Sequence, residues 1–151
     1  EKATRYDIKG RKYIGTLSKY YFQDVGLRNA LLNFRQVEET HIMENIIYNE
    51  LRSRGYSVDV GMVEVRTSTE RKQLEVDFVA NKGDRRYYIQ SAYTLPDEAK
   101  REQELASLKR IGDSFKKIII VRDDIAPYYD DNGVRIMGLM DFLLNAESED
   151  F

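Results

Sequence analysis

Ile118-Ile119-Ile120-Val121 is an unbroken apolar run between Lys117 and Arg122. Successive side chains of a strand point to opposite faces, so all four leave water only in a strand covered on both sides. That requirement calls for a sheet with a layer on each face, the arrangement of an α/β domain. The run is far too short to cross a bilayer. No charged, apolar and small-residue segment of the signal-peptide kind opens the chain. A chain of 151 residues makes one domain, or one domain with a small appendage, and buries roughly 70% of its unfolded surface.

The rest of the pattern supplies the layers. Residues 4–8 and 12–17 read as short strands about Gly10, and 19–22 as an extended aromatic stretch. Asp24 is placed to cap a short helix over 26–34 with Leu27, Ala30, Leu31 and Phe34 on one side. Residues 38–54 form the clearest helix, with an apolar stripe of Ile42, Met43, Ile46 and Ile47 and with Gly55 at its end. Alternation then predicts strands over 56–66, 73–80 and 86–93, joined by a polar link at 67–72 and a tight Lys82-Gly83-Asp84 turn. In the second of these, Leu74, Val76, Phe78 and Ala80 share one face and Glu75, Asp77 and Val79 the other. Pro96 and Asp97 open a helix that runs to about Ile111, and the Ile118 strand follows, which implies parallel pairing through a crossover. Residues 123–132 read as a loop, 134–137 as a strand, 139–144 as a closing helix and 147–151 as an acidic tail. The expected architecture is a mixed sheet of four to five strands flanked by helices.

The chain has no cysteine, so disulfides and cysteine-held metals are excluded, which fits a cytoplasmic protein. Its net charge of −2 hides an asymmetry: residues 1–35 carry eight basic side chains against three acidic ones. Arg5, Lys9, Arg11, Lys12 and Lys19, interleaved with tyrosines, are candidates for contact with nucleic-acid phosphates, or simply for a solvated basic hairpin. The single histidine, His41, reads as a hydrogen-bonding residue at the start of its helix.

Glu75-Val76-Asp77-Phe78-Val79 and Tyr88-Ile89-Gln90-Ser91-Ala92 carry the chemistry. With the preceding helix, their order resembles the αβββαβ core of the restriction-endonuclease-like, or PD-(D/E)XK, fold. In that fold a helix acid, a strand Asp and a Glu from the next strand gather Mg²⁺, which activates water against a phosphodiester while a Lys stabilises charge. Glu44, Asp77 and Gln90 stand at the three acidic places here, and Ala92 stands where the Lys belongs. Lys100, Arg101 and Lys109 on the following helix are the cations that could substitute.

Several motifs in order also resemble a bacterial and archaeal domain of unknown function found at the C-terminus of predicted AAA-type ATPases. They are Lys19-Tyr20-Tyr21-Phe22-Gln23-Asp24-Val25-Gly26-Leu27-Arg28-Asn29-Ala30, His41-Ile42-Met43-Glu44-Asn45, Arg54-Gly55-Tyr56, the Glu75 and Tyr88 blocks, and Arg101-Glu102 with Leu105, Leu108 and Ile111. The resemblance spans about residues 5–145; Thr40 departs from a usual Gly. It implies an upstream ATPase domain that binds ATP, then a winged-helix segment. No phosphate-binding loop occurs in these residues, and the chain opens on Glu1, so it is expected to be a fragment. Residues 1–17 are then a remnant wing hairpin, 18–146 the nuclease-like domain and 147–151 a tail.

Two functions follow. One is a non-catalytic module that regulates the ATPase or recognises DNA or a protein partner, with no cofactor of its own and no membrane role. The other is a Mg²⁺-dependent DNA or RNA nuclease with a rearranged site, in which Glu44 and Asp77 hold the metal.

Overall fold

The computed structural model describes residues 1–35, 37–66 and 71–145. In chain order the elements are β1 (Lys2–Asp7), β2 (Lys12–Tyr20), α1 (Val25–Leu31), α2 (Glu39–Ser53), β3 (Ser57–Arg66), β4 (Arg71–Lys82), β5 (Arg85–Ala92), α3 (Glu98–Leu108), β6 (Lys116–Val121), β7 (Tyr128–Tyr129), β8 (Arg135–Gly138) and α4 (Leu139–Leu144). The helix, three strands, helix and strand expected from the sequence are thus present as α2, β3, β4, β5, α3 and β6. Part of the predicted 67–72 link and the predicted 147–151 tail lie outside the described residues.

The sheet is larger than the four to five strands expected. Among the described residues it has eight, in the order β2-β1-β3-β4-β5-β6-β8-β7. The basic hairpin joins one edge: β1 pairs antiparallel with β2 and parallel with β3, from Arg5 opposite Val60 to Asp7 opposite Met62. β2 runs unbroken through residues 17 and 18. At the other edge β7 occupies what the sequence gives as loop, held by antiparallel pairing with β8. A parallel long-range pairing and a two-residue strand leave no periodicity to read, which is why neither was anticipated.

The centre of the sheet is a meander, β3-β4-β5, and α3 carries the chain from β5 across to β6, with which it pairs in parallel. The Ile118 run behaves as its pattern demands. Ile118 and Ile120 enter the core under α2 and α4 with Ile47, Leu51, Phe78 and Phe142; Ile119 and Val121 enter the core under α3 with Leu105, Leu108 and Tyr88.

One strand departs from its predicted alternation. Asp59 pairs with Val79 but Gly61 pairs with Val76, so Asp77 and Phe78 together face the single residue Val60. This is a β-bulge in β4, the extra residue that re-aims a strand's side chains. Val76 therefore packs under α3 while Phe78 packs under α2, although the sequence placed them on one face.

Candidate functional site

The bulge sets Asp77 on the α2 side of the sheet. There its neighbours are Glu44 from α2, Glu75 two residues earlier on β4, Lys19 from the end of β2, and Tyr21 just beyond that strand. The Lys19 ammonium lies 2.6 Å from Glu75 Oε1, 2.9 Å from Glu44 Oε1 and 3.7 Å from Asp77 Oδ1. Tyr21 donates its hydroxyl to the same Glu44 oxygen at 2.5 Å. Asp77 Oδ2 accepts the Ser91 backbone N–H at 2.8 Å, and Glu75 Oε2 pairs with Arg5 at 3.2 Å. Three carboxylates thus meet two cations in a pocket that is only partly open to water.

Burial decides the electrostatics. Asp77 is 8% exposed, and burial pushes its carboxyl up to about 7, with Glu44 adding repulsion and Lys19 and the Ser91 N–H opposing it. Burial alone would lower the Lys19 ammonium, but Glu44, Asp77 and its hydrogen bonds outweigh this and hold it above the ordinary lysine range. Tyr21 is raised, first by burial and then by Glu44, so it stays a neutral donor.

The local structure explains why two of the sequence motifs occur together. Asn45, 5% exposed, accepts the Phe22 N–H at 2.9 Å and donates to the Phe22 carbonyl at 2.6 Å. Asn49 adds a bond to the same carbonyl at 2.9 Å. Tyr21 stacks on Tyr48 of α2 with ring centres 4.1 Å apart. The chain leaving β2 is therefore clamped to α2, and the clamp delivers Lys19 and Tyr21 to Glu44. The segment from Lys19 and the His41-to-Asn45 helix start are two halves of one device, which also forms an open pocket lined in part by Arg28, His41 and Tyr20.

Of the residues named from the sequence, Glu44 and Asp77 do converge. Gln90 does not join them: it lies 3.4 Å from the Asp77 backbone N–H and 3.4 Å from Glu104 of α3. Glu75 supplies the third carboxylate instead. Two of the five candidate nucleic-acid contacts, Arg5 and Lys19, are held in this cluster, while Lys9, Arg11 and Lys12 remain at the hairpin's exposed turn. The substitute cations on α3 are elsewhere: Lys100 pairs with Glu104 at 2.6 Å, Lys109 with Glu102 at 2.8 Å, and Arg101 lies over Tyr128. His41 is exposed and pairs with Glu38 at 2.7 Å. Lys19, Glu75 and Tyr21 were missed as a group because their meeting depends on the pairing of β1 with β3, which nothing local encodes.

A Mg²⁺ ion fits these side chains poorly. Hard divalent ions take several charged oxygens at short range, yet the facing oxygens of Glu44 and Glu75 already share the Lys19 ammonium. Among the described residues no group of three His, Asp or Glu side chains is arranged to hold a metal.

Comparison with known proteins gives a family but no described activity. A family model for a domain of unknown function, DUF4143, matches residues 39–142. An uncharacterized protein of Haemophilus influenzae (strain Rd) is 35% identical over 146 residues, 95% of this chain and 33% of that protein. The chain thus spans about a third of the length of this relative. No solved structure matches. No helix among the described residues is long and apolar enough to cross a membrane.

Proposed function

The chain belongs to the DUF4143 family, and from that premise we propose that it is a nuclease-like module without hydrolytic activity, serving recognition or regulation for a prokaryotic ATPase. The α2-β3-β4-β5-α3-β6 order supports a restriction-endonuclease-like core. The bulge at Asp77 supports it too, since bulges commonly re-aim side chains beside active sites. The observation that carries the non-catalytic reading is Lys19. Its ammonium stands among three carboxylates where the fold's enzymes would carry a divalent ion, and it offsets part of their charge without supplying a Lewis acid or a metal-bound water. The ATPase, its ATP and its target belong on this reading to chain beyond these residues, as the motif resemblance implies.

A second reading draws on the same residue. A lysine 3.7 Å from Asp77 is the cation missing at Ala92, and a rearranged nuclease would use it once a metal had displaced it from Glu44 and Glu75. The two are separated by incubating the chain with plasmid DNA, single-stranded DNA and RNA in Mg²⁺ or Mn²⁺. The non-catalytic reading predicts no cleavage dependent on divalent ions. Cleavage that Asp77→Asn abolishes would overturn it and establish the nuclease.

A further inference from the structure

The face of the sheet under α3, away from the Lys19 cluster, carries a different kind of site. The β1–β2 turn, the β4–β5 turn and the link from α3 to β6 meet there around a groove of about 600 Å³. Its lining includes Lys9, Arg11, Arg85 and Arg86 against Asp84 and Asp113. Asp113 is engaged within the protein, accepting the Tyr88 hydroxyl at 2.7 Å and the Phe115 N–H at 3.2 Å. Arg86 is fixed: its Nε donates to Asn81 at 2.7 Å, and its guanidinium lies 5.5 Å from the ring centres of both Tyr6 and Phe115. Buried Asp59 lies within electrostatic reach behind it and offsets part of its charge. A second depression of about 460 Å³ shares Lys9 and adds Arg66 and Arg110. Of the acids beside it, Glu64 pairs with Arg66, so that each offsets the other, while Asp7 accepts the Gly10 N–H and keeps its charge. A run of cations thus extends from Arg110 past Lys9 to Arg86, on a chain whose net charge is negative.

We propose that this groove binds single-stranded nucleic acid, with the cations on its phosphates and the exposed part of Phe115, 40% of the residue, stacking a base. A single strand can turn its bases into a concave groove; a duplex keeps its bases paired inside a rigid cylinder and offers the ring no face. The proposal names one ligand for a recognition module, but it uses other residues on another face and does not depend on the state of the Lys19 cluster.

Fluorescence polarisation with a labelled oligothymidylate of about 12 nucleotides tests it. Lys9→Ala with Arg11→Ala, both on the exposed turn, should weaken binding at least about tenfold and flatten the log–log salt dependence by about 1.4, two contacts at about 0.7 each. Phe115→Ala should weaken binding with the salt slope unchanged, and circular dichroism will show whether each variant is folded. Arg28→Glu, on the α2 side, should bind as the parent does. Absence of binding at low salt would overturn the proposal. So would equal affinity for a duplex, competition by a mononucleotide as strong as by the strand, or loss with Arg28→Glu and none with the double variant.

Discussion

At the scale of residues, the cluster around Lys19 shows how position decides the chemistry of identical groups. Glu75 and Asp77 are two residues apart on one strand, yet only Asp77 is deeply buried, and that burial raises the Asp77 carboxyl to about 7. In the unfolded chain that carboxyl titrates near its ordinary value of 3.8. Between those two pH values the folded protein binds a proton that the unfolded chain has released, so stability falls as pH rises through this window and levels off above about 7. Asp77→Asn keeps a carbonyl for the Ser91 N–H and removes the titration. Urea unfolding at about pH 5 and about pH 8 should show the parent losing stability with rising pH and the variant losing much less. Asp59, also raised by burial, contributes a slope of the same sign in both proteins, so the difference between them isolates Asp77. Equal slopes would mean that Asp77 is ionised throughout.

At the scale of elements, most of the secondary structure is written in local pattern, and the exceptions share one cause. The helical period of α2, the Asp97 cap of α3, which accepts the Lys100 N–H, and the Ile118 strand need only nearest neighbours in sequence to be read, although the buried face of α2 is Met43, Ile47, Tyr48 and Leu51, with Ile42 and Ile46 of the predicted stripe half-buried. The bulge in β4 does not follow from β4 alone, because it depends on what β3 offers opposite it. Gly61 is the feature of β3 that permits it. A Cβ there would come within 2.9 Å of Val76 and Val79 and 2.8 Å of Ile8, all in the core under α3. Gly61→Ala should therefore cost about 1–3 kcal/mol by overpacking, seen as a lower unfolding midpoint. A neutral result would show that the strand can shift, and the Asp77 geometry with it. α1 illustrates the reverse error. Its apolar side was legible and Asp24 caps it as expected, but Leu27, Leu31 and the nearby Phe34 are 58%, 67% and 67% exposed. Amphipathic spacing predicts a helix; whether anything covers the apolar side is a tertiary fact.

At the scale of the whole molecule, the fold class was legible because a doubly covered strand admits few architectures, while the size of the sheet was not. The N-terminal hairpin could be read as strands but not as the edge of the same sheet, since its pairing with β3 spans more than fifty residues of intervening chain. That one pairing also separates the two halves of the candidate site reading: it carries Arg5 and Lys19 out of the solvent-facing basic set and into the carboxylates, and leaves Lys9 and Arg11 beside the groove on the other face. The central claim is that Lys19 serves as the resident cation of the acidic cluster and leaves no place for a divalent ion. Calorimetric titration with Mn²⁺ at about pH 8, where Asp77 is ionised, tests it most directly. The parent should show no saturable binding at millimolar Mn²⁺, and Lys19→Ala, with three carboxylates left facing one another, should gain it. Saturable binding by the parent that Asp77→Asn removes would contradict the claim.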